Sequence, residues 1–208
     1  MIGKKFIVGL TGQTGAGKSS VCSWLTEKYG INAIDCDAVS RDVTSRSPSI
    51  DEIADAFGKG VLNSDGTLNR RSLGHIVFSN GEKLSLLNKI VHPRIIDRVM
   101  ELCDGINGEI IIFDAPTLIE SGLYKKSDII VSVTADAALR KKRIMKRDGI
   151  TSEEAERRID AQKSEYFYTK YSDISILNTR YIDDLHLKSD RLAYYIKHIR
   201  NSLIKNSK

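Results

Sequence analysis

Residues 12 to 19 read Gly-Gln-Thr-Gly-Ala-Gly-Lys-Ser, and the apolar run Phe6-Ile7-Val8-Gly9-Leu10 stands directly before them. A strand that empties into a glycine-rich turn and then into a helix is the setting of a Walker A phosphate-binding loop. Glycines at Gly12, Gly15 and Gly17 let the backbone curl until successive N–H groups converge on phosphate oxygens. Thr14, Ala16 and Ser20 complete the stretch expected to wrap them, and the following helix adds the positive end of its dipole. Lys18 would reach the terminal phosphates as a compact cation, while the Ser19 hydroxyl is placed to ligate a Mg²⁺ bridging two of them. The expected ligand is therefore a nucleoside triphosphate. An ordinary glycine-rich turn is the plain alternative, and the strand–loop–helix context argues against it.

Three further places carry residue types suited to phosphoryl chemistry. Asp35-Cys36-Asp37 closes a second predicted strand over 31–35 and falls on the sheet edge that carries the phosphate loop. Two acids one residue apart on an extended chain face opposite ways. One would act on an acceptor hydroxyl, while the other orients the loop or contacts Mg²⁺ indirectly. Phe113-Asp114 closes a third strand, where Asp114 reads either as a Walker B carboxylate for Mg²⁺ or as a turn cap before Ala115-Pro116. The densest basic cluster is Arg140, Lys141, Lys142, Arg143, Lys146 and Arg147. On a helix its three arginines share one face at steps of three and four, and the lysines read as solvated. Asp148-Gly149-Ile150 then makes a tight turn, and Thr151 with Glu154 forms a capping pattern for the next helix. Two such helices would build a mobile lid that brings arginine charge to the transferring phosphoryl group. His92-Pro93 is a lone histidine whose plain reading is structural, as it is for His75, His186 and His198.

Positioning these groups falls to a chain of 208 residues, long enough for one sizeable core. No apolar run approaches the ~20 residues of a bilayer span, and the N-terminus does not read as a signal peptide, so a soluble, cytoplasmic protein with no membrane partner is expected. The net charge of +5 suits either nucleic acid or an anionic small substrate. Aromatic residues are not interleaved with the basic cluster, which argues against nucleic acid. Cys22, Cys36 and Cys103 are odd in number and widely spaced, the pattern of reduced thiols. Helical spacing covers 16–29, with Trp24 expected in the core against the sheet and Gly30 as the stop. From 38 to 105 the pattern is helical, broken by turns at Ser47-Pro48 and Asn63-Ser64-Asp65-Gly66, with Leu84, Leu87, Ile90, Val91, Ile95 and Val99 on one stripe. Strands return at 110–114, 129–133 and 174–177. The last helix places Leu192, Tyr195, Ile196, Ile199 and Leu203 on a docking stripe. The alternation predicts an α/β fold: a doubly wound, parallel five-stranded sheet with a helical substrate-binding insertion and a helical lid. The expected boundaries are 1–37, 105–139 and 166–208 for the nucleotide core, 38–104 for the insertion and 140–165 for the lid.

Read together, five segments resemble the dephospho-coenzyme A kinase family. They are the phosphate loop; Ile34-Asp35-Cys36-Asp37 with Arg41; Val91-His92-Pro93; Asp114-Ala115-Pro116-Thr117-Leu118-Ile119-Glu120-Ser121-Gly122-Leu123; and Arg147-Asp148-Gly149-Ile150-Thr151. The match runs in order over nearly the whole chain. The resemblance implies transfer of a phosphoryl group from ATP to the ribose 3′-hydroxyl of dephospho-coenzyme A. It further implies that Asp37 is the general base, that Arg41 and His92 hold the acceptor, with Leu118 and Glu120 beside them, and that Arg143 and Arg147 meet the phosphates. Cys36, Ala115 and Thr117 depart from the usual family residues, and Gln162-Lys163-Ser164 departs from the common Gln-x-Pro. None of these removes a charged or phosphate-contacting group.

On that reading Lys18, Ser19, Asp114 and the lid arginines supply charge and alignment for ATP and Mg²⁺, and Asp37 takes the hydroxyl proton late. A nucleoside monophosphate kinase shares this layout. A GTP-dependent switch would need an Asn-Lys-x-Asp element and an Asp-x-x-Gly glycine that the chain lacks, and a nucleic-acid-dependent ATPase draws little support from the charge distribution. A monomer or weak homo-oligomer is expected.

Overall fold

The computed structural model describes residues 5–206. In chain order the elements are β1 (Phe6–Gly12), α1 (Lys18–Tyr29), β2 (Asn32–Asp35), α2 (Cys36–Val43), α3 (Ser49–Phe57), α4 (Arg70–Phe78) and α5 (Gly81–Gly105). They continue with β3 (Ile110–Asp114), β4 (Ile129–Thr134), α6 (Ala137–Asp148), α7 (Ser152–Asp160), α8 (Glu165–Lys170), β5 (Ile174–Leu177) and α9 (Ile182–Asn206). The five strands form one parallel sheet in the order β2-β3-β1-β4-β5, with helices on both faces. The expected fold class is the one observed. The chain divides into two compact units, Met1–Ala33 with Asn107–Lys208, and Ile34–Ile106.

In the first unit β1 is buried along its whole length and pairs in parallel with β3 on one side and β4 on the other. Its alternate residues Phe6, Val8 and Leu10 join Ile112, Val131, Val133 and Ile176 on one face of the sheet. Val21 and Leu25 of α1 and Leu185, Leu192, Ala193 and Ile196 of α9 close over them. Fully burying such a side chain contributes about 1.5–3 kcal/mol, so this face anchors the strand that feeds the phosphate loop. The opposite face is closed partly by Leu118, whose side chain packs over Gly9.

Three side chains expected to be buried lie elsewhere. Trp24 is only partly buried: its ring stacks on His186 at 3.6 Å, and its Nε1–H donates to Asp190 at 2.7 Å. An indole needs a partner for its N–H, and the carboxylate on α9 supplies one that the sheet face does not. On α9 itself Tyr195 and Leu203 are exposed, and the buried stripe runs instead through Leu185, Ser189, Leu192, Ala193 and Ile196. The expected stripe holds at Leu192, Ile196 and Ile199, and it extends toward the start of the helix, to Leu185, in place of its C-terminal end.

The second unit is helical. α5 buries Val91, Ile95, Val99 and Cys103 at steps of four, as the periodicity predicts. Pro93 interrupts its ladder because it lacks an N–H, and in the same turn the Arg94 Nη1 donates to the Ile90 carbonyl at 2.9 Å. The Arg94 guanidinium also holds Glu52 of α3 through two bonds of 2.8 and 2.6 Å.

Candidate functional site

The buried β1 delivers the chain into the glycine-rich loop, and strand pairing sets Leu10 opposite Asp114. The Asp114 carboxylate accepts the Lys18 ammonium, so the loop lysine and the strand-end acid form an ion pair. Gly17 caps α1 at φ 103°, and a Cβ there would lie 2.1 Å from Asn178 Nδ2. Only glycine meets both the left-handed backbone and the close approach.

Three successive loop carbonyls are taken by side chains from outside the loop. Arg140 Nε donates to Thr14 O at 2.9 Å, Arg143 Nη1 to Gly15 O at 3.3 Å, and Asn178 Nδ2 to Ala16 O at 2.6 Å. A peptide's N–H points opposite its C=O, so holding the carbonyls outward turns amides inward. The N–H groups of Gly15, Gly17, Lys18 and Ser19 take no protein acceptor among the described residues. Four such donors at a helix N-terminus, beside the Lys18 ammonium, make an anion site.

Arg140 is almost wholly buried, and burial lowers its pKa from the ordinary guanidinium value. Arg143 shifts the same way for the same reason, and its second nitrogen donates to Asn178 Oδ1 at 3.2 Å and Thr179 O at 2.9 Å. Arg147 lies on the outside of α6. Its guanidinium binds Asp148 at 2.6 and 3.0 Å, and Arg158 pairs with the same carboxylate. One helix face at the sequence level thus separates into two arginines that brace the loop and one that holds the α6–α7 corner. That corner is built as predicted: Gly149 ends α6, and Thr151 and Glu154 complete a capping box on α7.

Any Mg²⁺ accompanying the phosphates would draw on the Ser19 hydroxyl and the Asp114 carboxylate. Both are hard oxygen donors of the kind Mg²⁺ takes alongside phosphate oxygens. No group of three or more His, Cys, Asp or Glu side chains able to hold a metal occurs among the described residues, so such a cation would depend on the nucleotide for most of its shell.

In the Ile34–Ile106 unit the strand ends at Asp35, whose carboxylate caps α2 by accepting the Ala38 N–H at 2.9 Å. Asp37 sits in the first turn of α2. The two acids are therefore divided between strand end and helix, not set on opposite sides of one extended segment, because the Asp35 cap starts the helix at once. Arg41 meets Asp35 at 3.9 Å with most of its side chain in solvent. His92 is half-buried on α5, and burial lowers its pKa below the usual imidazole value. Back in the first unit, Leu118 is fully buried and takes a core position. Glu120 keeps an exposed surface, yet desolvation of its carboxyl raises its pKa against the opposing pull of its own backbone N–H and of Lys163. The neighbouring Tyr168 is buried, and burial together with the Glu120 charge pushes its hydroxyl up to about 12.

Asn178, which holds the loop from its flank, carries no sequence signal of chemistry, since a neutral amide at irregular spacing looks like a surface residue, and Gln162 stood out only as part of the segment set against Gln-x-Pro. The comparisons with known proteins agree with the loop's geometry. The profile of the dephospho-CoA kinase family matches residues 6–184. The chain belongs to the dephospho-CoA kinase family. A dephospho-CoA kinase of Fusobacterium nucleatum subsp. nucleatum is 39% identical over 187 residues, covering 90% of this chain and 96% of the relative. Among solved structures, a Thermus thermophilus protein matches with a TM-score of 0.79 at 30% identity, covering 92% of this chain and 98% of its own. The dephospho-CoA kinase of Campylobacter jejuni matches at 0.66 and 25%, covering 96% and 99%. Family membership spans the phosphate loop, both acidic strand ends and the α6–α7 pair. No helix among the described residues is long and apolar enough to cross a membrane.

Proposed function

We propose that this protein transfers the terminal phosphoryl group of ATP to the ribose 3′-hydroxyl of dephospho-coenzyme A, giving coenzyme A and ADP in the cytoplasm. The observation that carries this reading is the braced phosphate loop, with its inward amides and Lys18, in a chain matched to the dephospho-CoA kinase family from residue 6 to residue 184.

Phosphoryl transfer through a loose transition state asks the protein mainly for alignment and charge neutralisation. The N–H groups of Gly15, Gly17, Lys18 and Ser19 bind phosphate oxygens, and the Lys18 ammonium moves from Asp114 to the terminal phosphates. Ser19 and Asp114 would hold Mg²⁺, which would supply further neutralisation of the phosphate charge. Arg143 adds positive charge behind the loop, and Arg147, released from Asp148, reaches the transferring group from α6. Asp37 orients the acceptor hydroxyl and accepts its proton as the bond to phosphorus forms. Arg41 holds an anionic part of the acceptor. His92, kept neutral by burial, offers it a hydrogen bond instead of a charge, and Glu120 contacts its polar groups. We assign acceptor binding to the helical unit and a closing role to α6 and α7, in a chain acting as a monomer or weak homo-oligomer without nucleic acid.

The deciding experiment is ADP release from Mg-ATP with dephospho-coenzyme A as acceptor, set against AMP, adenosine and no acceptor, with product mass recorded. One added phosphate on dephospho-coenzyme A alone is expected. Transfer to AMP instead would make the protein a nucleotide kinase.

A further inference from the structure

The segment between α7 and α8 is four residues long and capped at both ends, by Ala161 after α7 and by Ser164 before α8, whose hydroxyl accepts the Phe167 N–H. Gln162 is thereby set in place, and its side-chain Oε1 accepts two donors: the Thr14 N–H at 3.0 Å and Arg140 Nη2 at 2.9 Å. Arg140 Nε meanwhile donates to the Thr14 carbonyl at 2.9 Å, so both polar ends of that residue are fixed by one amide and one guanidinium. The hold is reciprocal, because the buried Gln13 returns its Nε2–H to the Lys163 carbonyl at 3.0 Å.

We propose that Gln162 is a positioning residue for the nucleotide phosphates: its amide oxygen locks Thr14 and Arg140 together, and so fixes the phosphate loop with its free N–H groups turned toward the ligand. The chemistry suits a neutral amide. A carbonyl oxygen has two lone pairs and can satisfy both donors, while adding no negative charge beside a site that must receive phosphate. Take it away, and the Thr14 N–H and a buried guanidinium each lose an acceptor, and Thr14 is free to rotate out of the conformation that turns the following amides inward.

This inference rests on the kinase reading for its turnover measurement only. The test is Gln162→Met, which keeps the length of the side chain and removes the oxygen. On the full chain without acceptor, calorimetric titration with MgATP and MgADP is expected to show about tenfold weaker binding, equivalent to ~1.4 kcal/mol. The melting temperature should stay within a few degrees, and the KM for dephospho-coenzyme A within twofold. Wild-type affinity for both nucleotides in Gln162→Met would overturn the proposal, as would a lowered melting temperature with unchanged affinity, since that marks a purely structural role. Should the variant not fold, hydrogen exchange on the wild-type chain decides the matter: a Thr14 amide protected before nucleotide is added supports the lock, and one exchanging at open-loop rates refutes it. A wild-type chain that binds MgATP yet leaves dephospho-coenzyme A unmodified would sink the proposed function and leave this inference standing.

Discussion

Around the phosphate loop three successive carbonyls are held by side chains from α6 and from the residue after β5, whereas on α2 Arg41 keeps 60% of its side chain exposed and meets Asp35 only at 3.9 Å. Both regions are assigned anionic ligands, yet they are prepared differently. The loop binds through backbone dipoles, which are useful only when many point one way at once, and the curled backbone has no ladder of its own to keep them there. External braces are therefore part of the binding site. A lone arginine carries its full charge wherever it points, so the acceptor side can leave it in solvent until substrate arrives. On the proposed assignment, the nucleotide side is braced in advance and the acceptor side is left open to adapt.

The largest effect that would sharpen this contrast is a loss of chemistry without a loss of binding. Asp37→Asn is expected to lower turnover by ~10²–10⁴, the usual range for a missing general base, while MgATP affinity measured by calorimetry stays within twofold of wild type. Near-normal turnover would remove Asp37 from the role of base. Next in size is a blow to the braces themselves. Gly17→Ala forces a methyl group into a backbone at φ 103° and against Asn178 at 2.1 Å. Strain of that kind costs about 1–3 kcal/mol, and the displaced Asn178 gives up Ala16. MgATP binding should weaken by roughly tenfold to a hundredfold, with the KM for dephospho-coenzyme A little changed. Equal weakening of both substrates would erase the distinction between the two sides.

How far the sequence reveals this division depends on whether a residue acts through the chain's periodicity or through distant partners. The strands over 110–114 and 129–133 were legible because such apolar runs are buried on both faces of a parallel sheet, and the phosphate loop because its glycines and lysine have few other uses together. The α6–α7 corner was legible through Gly149 and the Thr151–Glu154 pair, which act on their own neighbours. What was not legible depends on contacts between residues far apart in the chain. Gln162 lies 148 positions from Thr14, and Asn178 lies 162 from Ala16. Arg143 and Arg147 look equivalent on a helical wheel and are told apart only by what faces them. Trp24 is drawn from the sheet by Asp190, a carboxylate that also collects Lys28 and Tyr29 and is itself held down to about 2 by those bonds.

A smaller effect probes the ion pair at the centre of the braced side. Lys18 is neutralised by Asp114 in the ligand-free chain, so nucleotide lacking a divalent cation must compete with that carboxylate and then sit beside it. Asp114→Asn removes both penalties. Titration with ATP in EDTA is expected to show about tenfold tighter binding, in line with ~1–4 kcal/mol for one unit charge near 4 Å at surface-like dielectric, while Mg-dependent turnover falls. Unchanged or weaker binding in EDTA would mean that the pair does not limit access to Lys18.

The smallest expected effect lies on the adaptive side and is read through pH. Burial lowers the pKa of His92 in the folded chain, so the unfolded chain, with an ordinary value near 6.5, holds more protons wherever the two differ. Stability then rises with pH across the window from the lowered native value up to about 6.5, is fully present above it, and is lost as pH falls through it. His92 is only half-buried, and solvent screening keeps its share small. Urea midpoints at pH 7.5 and 5.5 should differ less for His92→Gln than for wild type. Because His92 is uncharged at neutral pH, the same substitution should raise the KM for dephospho-coenzyme A by no more than one hydrogen bond is worth, about tenfold at most, and leave the KM for MgATP alone. A KM that instead improves sharply as wild type is acidified through this window would mean that the acceptor recruits imidazolium, and that the adaptive side binds with charge there as well.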